Sequence, residues 1–198
     1  MSTSYAEYGR VRQKQRTRDD LVAAARRLVA QGGSSPTVEE AAAAASVSRT
    51  TAYRYFRSQR ELLLAAHPEV LRSSLLPSDI GDDPETRLLA AVRVFIQMVL
   101  DAEPQQRTML RLSLEAAVEP TELPLRQGRA IGWFEDALAT ASDRLLDAQI
   151  RRLAVAVRSA VGIESLVWLV DVAGLRREEA AELMLSSARA LLRDALRE

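Results

Sequence analysis

The sequence predicts an all-α protein, with an N-terminal head of three short helices followed by a larger helical bundle, about nine helices in total. Three observations carry this. The composition is 47% apolar but only 5% aromatic, rich in alanine and leucine, with 8 glycines and 7 prolines in 198 residues, a balance that favours helix over strand. Apolar residues recur at helical spacing in one segment after another. Residues able to cap a helix crowd into positions 37–58, so the helices there must be very short and joined by tight turns.

Taken in order, the first 15 residues have little apolar content and read as a mobile basic arm with Arg10, Arg12 and Lys14, followed by Arg16 and Arg18. A helix from about Thr17 to Ala30 follows, because Leu21, Ala24, Ala25, Leu28 and Val29 share one face and Asp19 and Asp20 sit in the first turn, where the helix dipole favours acids. Gly32-Gly33 stop it, and Ser34 to Pro36 form a loop. Thr37 with Glu40 three residues on is a capping box for a helix over 38–45. Ser48 caps a third helix running to about Phe56, and Ser58 with Glu61 starts a fourth, which Pro68 ends or kinks.

Beyond residue 62 the helices lengthen. Leu76 to Pro84, with two prolines, a glycine and three aspartates, reads as a linker. Leu88, Leu89, Val92, Phe95, Ile96, Val99 and Leu100 give the helix from about Glu85 to Asp101 a wide apolar face. Pro104, Pro120 and Pro124 separate helices over 105–118 and 125–145, and two last helices span about 147–173 and 176–197, with Gly174 between them. The expected domains are residues 1–62 and 63–198.

Net charge is zero, yet residues 1–60 hold 11 Lys+Arg against 5 Asp+Glu while residues 61–198 hold 16 against 22. Two segments of opposite charge suggest two tasks, the basic one beside a polyanion. The absence of cysteine removes disulfides, thiol nucleophiles and thiolate metal sites together. His67 is the sole histidine, and no glycine-rich phosphate loop is present, so neither a metal centre, a cofactor nor an enzyme is expected. The polar, basic N-terminus is no secretory signal, and no apolar run is expected to reach the roughly 18 residues of a membrane span. A soluble, cytoplasmic protein with no membrane partner follows as the expectation.

The segment Thr37 to Leu64 reads TVEEAAAAASVSRTTAYRYFRSQRELLL. In a helix-turn-helix, one short helix lies across the DNA backbone and a second presents its N-terminal residues to the major groove. Val38, Ala41, Ala42 and Ala45 would face inward on the first helix, Val47 would plug the angle, and Ala52 and Phe56 would bury the second. The outward positions are then Ser48, Arg49, Thr50, Thr51, Tyr53, Arg54 and Tyr55, and no acid occurs between Glu40 and Glu61. Arginine, threonine and tyrosine serve phosphates and base edges.

This stretch resembles the DNA-binding head of the tetracycline-repressor-like (TetR) family, with Thr37, Val38, Ala42, Ala45, Val47, Ser48, Thr51, Tyr53, Tyr55, Phe56, Ser58 and Leu62 at the matching positions. The resemblance is specific over about residues 16–64; beyond it rests on length and helical character. It implies that Thr37 caps and touches phosphate, that Tyr53 and Tyr55 grip the backbone, that Arg49, Thr50 and Thr51 read bases, and that Arg54 and Arg60 also face double-stranded, palindromic operator DNA. The sequence departs from the family at Ser46, where a turn glycine is usual, at Ala41, where a larger aliphatic is usual, and at Gln59, where lysine is usual.

The resemblance further implies a homodimer built on the last two helices, with Leu153, Val157, Val161 and Trp168 on one and Leu183, Ser187 and Leu191 on the other. It implies a small-molecule effector in the body, for which Phe95, Met98, Met109, Trp133, Phe134 and Trp168 are the candidate lining. Effector binding would lower operator affinity through a coupling of about 1–3 kcal/mol. The function expected is a ligand-responsive repressor. The alternative is a helical small-molecule-binding or interaction protein that has lost operator binding.

Overall fold

The computed structural model describes residues 3–31, 36–66, 72–114 and 128–197, and every regular element among them is a helix. His67 and Pro68 lie outside the described residues. The helices are α1 (Thr3–Ala30), α2 (Val38–Ala44), α3 (Arg49–Tyr55), α4 (Gln59–Ala66), α5 (Pro84–Asp101), α6 (Glu103–Ser113), α7 (Arg129–Leu138), α8 (Asp147–Val161), α9 (Ile163–Val167) and α10 (Arg177–Ala195). With α8 and α9 taken as one helix broken at Gly162, that makes nine among the described residues. The chain divides into two compact units, Met1–Leu71 with Arg111–Leu125, and Arg72–Leu110 with Arg126–Glu198. The boundary expected after residue 62 falls inside α4.

In the first unit, the head, Leu21 and Ala25 of α1 pack with Val38, Ala41 and Ala42 of α2, Ala52 and Phe56 around α3, and Leu62 and Ala66 of α4. Arg26 Nε donates to the Ala66 carbonyl at 2.6 Å, tying α1 to the last turn of α4. The expected mobile arm is corrected: α1 is helical from Thr3 onward. Apolar spacing begins only at Leu21, but Arg, Lys and Gln are good helix formers and need no buried face to continue a helix already nucleated. The Gln15 amide donates to Asp19 four residues on, at 2.9 Å, which supports this polar extension.

In the second unit, the body, α5, α7, α8, α9 and α10 enclose one apolar core around the fully buried Phe134, Leu88, Leu138, Val157, Val161 and Leu192. The stretch expected to be a linker is irregular over 72–83 but is built into this unit. Leu75 is buried, Ser74 Oγ donates to Asp136 at 2.5 Å, and Trp133 Nε1 donates to the Arg72 carbonyl at 2.7 Å. Asp83, not Glu85, opens α5, its carboxylate accepting from Thr86 N at 2.8 Å with Pro84 at the first helical position. The helix expected from residue 105 begins at Glu103, because Pro104 fits a first turn where its missing N–H is no loss. The single helix expected over 125–145 is α7 followed by a 3-10 turn, Ala139–Ala141.

The long C-terminal apolar helix bends at Gly162. A side chain there would meet Arg158 Nη1 at 1.7 Å, because the Arg158–Glu164 ion pair lies across the glycine. The segment Trp168–Val172 then widens into a π-helical turn, closed by Ala173 N donating to the Trp168 carbonyl at 2.9 Å, and Gly174 at φ 73° ends it. Asp147–Val172 is long and apolar enough to cross a membrane, which corrects the expectation that no apolar run reaches that length. Length and composition alone do not distinguish a span from a core helix, and Leu153, Ala154, Val157, Val161, Ile163 and Leu166 are buried in the bundle.

Candidate nucleic-acid interface

The candidate surface is assembled by three caps and one turn. Glu40 N donates to Thr37 Oγ1 at 3.1 Å while Thr37 N donates to Glu40 Oε2 at 2.7 Å, so both halves of the capping box are made. Thr51 N donates to Ser48 Oγ at 3.2 Å, and Glu61 N to Ser58 Oγ at 3.2 Å, with Arg57 N returning to Glu61 Oε2 at 2.7 Å. Between α2 and α3 the chain turns through Ser46 at φ 55°, the one non-glycine residue with positive φ among those described. Val47 N donates to the Ala42 carbonyl at 2.9 Å and Ser46 N to the Ala43 carbonyl at 3.1 Å, which is a Schellman motif with serine in the position glycine prefers. Val47 then packs on the head core.

This turn sets α3 against α2 through small side chains. Ala41 and Ala52 are wholly buried and Ala42 is 2% exposed, so the two backbones approach closely. Phe56 is buried at the end of α3, and the Arg18 guanidinium of α1 lies 5.3 Å from its ring centroid. With Ala52 and Phe56 inward, Ser48, Arg49, Thr50, Tyr53 and Arg54 are exposed, and Thr51 and Tyr55 are half-buried. Thr37 and Arg60 are exposed as well. Ser48 is partly committed to its own helix, because its hydroxyl donates to Thr51 Oγ1 at 2.8 Å in addition to capping.

Thr51, Tyr53, Arg54 and Tyr55 line one wall of an open groove with Arg57, and Gln13 and Lys14 of α1 supply the other wall. Gln13 and Arg57 are absent from the sequence-derived surface; Arg57 sits in the break after α3, and Gln13 is placed only by the helical extension of α1. Glu39 lies outside the surface that the sequence pattern marks. Its Oε1 accepts from Tyr53 Oη at 2.8 Å and pairs with Arg49 Nη2 at 2.9 Å, while Arg49 also lies 5.8 Å from the Tyr53 ring centroid. The surface expected to be free of acids therefore carries one. The bond from the Tyr53 phenol, more than the Arg49 charge, holds the Glu39 carboxyl below the usual carboxylate range, and the same bond pushes the phenol above its ordinary value.

Residues 21–66, which span the last third of α1 and all of α2 to α4, match the family of bacterial regulatory proteins, tetR family. The chain carries a tetR-family head. It is a DNA-binding transcriptional regulator of the helix-turn-helix type, with an all-α fold. No curated protein matches the chain.

The tetR-type head is joined to a body in which the other sequence-derived candidates scatter. Phe95, Trp133 and Phe134 do meet: ring centroids lie 6.3 Å and 5.5 Å from Phe95, the second pair edge-on. Met109 is buried and Met98 half-buried. Trp168 is 59% exposed and so shares no internal lining with them. Leu153, Val157 and Val161 are buried inside the unit itself, which corrects their placement on a surface offered to a second copy. The α8 helix that carries them packs against α7 and α10; a helical period identifies an apolar face without saying what covers it. Leu183 is exposed, and Ser187 and Leu191 are half-buried, the Ser187 hydroxyl donating to the Leu183 carbonyl at 2.9 Å.

Proposed function

We propose that this protein is a homodimeric, ligand-responsive repressor acting in the cytoplasm on a palindromic operator, with α3 as the reading helix. The observation that carries the DNA reading is the exposed Arg49–Tyr53 pair on the first turns of α3, beside a groove walled by Lys14, Arg54 and Arg57. Arginine and tyrosine at this position reach phosphates and base edges when the N-terminal part of such a helix enters the major groove.

The dimer reading is supported by where the body leaves large apolar side chains in solvent. Leu146, Val155, Trp168, Val172 and Leu183 are 45–74% exposed and fall on α8 to α10 or at their ends. Large apolar side chains left in solvent on successive helices are what an association surface would use. Two heads would then meet successive turns of one duplex, about 34–36 Å apart. The effector reading is supported by the Phe95, Trp133 and Phe134 cluster, three aromatic rings gathered in the apolar interior of the body, from which a small hydrophobic molecule would have to displace packing contacts.

Selecting bound sites from a random DNA pool is expected to return a two-fold symmetric sequence. On that duplex, Arg49→Ala or Tyr53→Ala should weaken binding at least about thirtyfold, since a dimer loses the contact twice. Sedimentation should show the same oligomer as the parent. If both variants bind like the parent, α3 is not the reading helix; if no duplex binds even at low salt, the protein is a ligand-binding body that has lost its operator.

A further inference from the structure

We propose that Glu39 is an internal stand-in for a DNA phosphate: its carboxylate occupies the donors of Arg49 and Tyr53 in the free head and must give them up when the duplex backbone arrives. The inference rests on the reading of α3 as the DNA-facing helix. It makes Glu39 a brake on backbone affinity, acting through the two residues it holds.

The geometry supports this in three steps. The Tyr53 phenol and the Arg49 guanidinium converge on a single oxygen, Glu39 Oε1, at 2.8 and 2.9 Å. These donors and these distances are the ones a phosphate oxygen would use, since arginine and tyrosine are regular phosphate ligands. The cluster stands in solvent, with the side chains of Arg49 73% and Glu39 37% exposed, so the ion pair is of the weak, exchangeable kind. Glu39 is also anchored: it sits in the first turn of α2, where the helix dipole favours a carboxylate, and α2 is fixed by the Thr37–Glu40 capping box. A displaced Glu39 therefore stays near the incoming backbone and repels it.

In this proposal Arg49 serves the DNA backbone rather than the base edges that the family resemblance implies for it; backbone contacts carry no sequence information, so the brake should act on every duplex alike. A direct reading of bases by Glu39, for example of a cytosine amino group, would instead make the residue useful on the operator only.

The experiment uses the full chain and Glu39→Gln, which keeps the shape and loses the charge. Anisotropy is measured on the selected operator and on a random-sequence duplex, from about 50 to 200 mM salt. The expected result is binding about threefold to tenfold tighter on both duplexes, by the same factor, with the log–log salt slope steeper by up to about 0.9 per subunit. Glu39→Ala, which removes the acceptor, should tighten binding too. Glu40→Gln measures the general effect of losing an acid nearby, because the Glu40 carboxylate is bound to Thr37 instead, and it should change affinity less than about twofold. Unchanged or weaker binding by Glu39→Gln, or tightening confined to the operator, overturns the proposal. A parent that binds neither duplex overturns the reading of α3 itself, a distinct result.

Discussion

Replacing Ser46 by glycine should stabilise the head, because the turn between α2 and α3 forces a serine into the left-handed region at φ 55°. That conformation costs an L-residue roughly 1–2 kcal/mol, since its Cβ crowds the backbone carbonyl. Glycine escapes the clash but gains freedom in the unfolded chain, an offset of about 0.4–1 kcal/mol. The balance is a gain of about 0.5–1 kcal/mol, or a rise of about 1–4 °C in the melting temperature of a chain of this length unfolding as one unit. The Ser46 side chain is exposed, so its loss opens no cavity, and the Schellman bonds from Ser46 N and Val47 N are made by backbone and persist. Ser46→Val serves as the opposite perturbation, because a β-branched residue is least tolerant of positive φ. Thermal and denaturant unfolding followed by helical circular dichroism measures both variants. A glycine variant no more stable than the parent, or a valine variant equal to it, would refute the argument that this turn is strained.

Two predictions concern the body. Phe134 is fully buried and edge-on to Phe95, so Phe134→Ala should cost about 3–5 kcal/mol in denaturant unfolding; a loss under about 1 kcal/mol would mean that the core collapses freely around it. The second is a pH dependence. Glu103 accepts from Arg177 at 2.7 Å and Arg107 at 2.8 Å, and Arg107 grips Asp171 with two bonds at 2.6 and 2.8 Å. The Arg177 bonds foremost hold the Glu103 carboxyl below its ordinary range, and those from Arg107 do the same for Asp171. A folded carboxyl that binds its proton less readily than the unfolded one stabilises fully above the ordinary carboxylate range and loses that stabilisation as the pH falls from there through its own lowered value. Melting temperature should therefore drop on acidification, and Glu103→Gln should flatten that acid limb; an unaltered limb would remove Glu103 as a cause.

Much of the head is written locally, and for a physical reason. Thr37 with Glu40, Ser48, and Ser58 with Glu61 each mark a helix start through bonds spanning three residues, so the short helices are legible without knowledge of the fold. The extension of α1 is not legible that way, because a solvated helix shows no apolar rhythm before Leu21. Glu39 was hidden by distance along the chain: a scan for acids between Glu40 and Glu61 finds none, yet a residue 14 positions before Tyr53 folds back onto it. Leu153, Val157 and Val161 illustrate the opposite limit, since their period is plain in the sequence while the partner of that face belongs to tertiary structure. Trp168 was ambiguous for the same reason, its aromatic character suiting a pocket or a surface until the backbone turned it outward.

The interior shared by α2 and α3 is lined with alanine: Ala41, Ala42 and Ala52 leave almost nothing to solvent. Deleting atoms there is nearly impossible, so most replacements add bulk and wedge the helices apart. Diversification of such a module has one open direction, the outward positions such as Thr50 and Arg54, where a residue can change without altering how deeply its neighbours dock. On the reading proposed for α3, new sequence preferences would be sampled on an unchanged frame, with the angle of approach inherited intact.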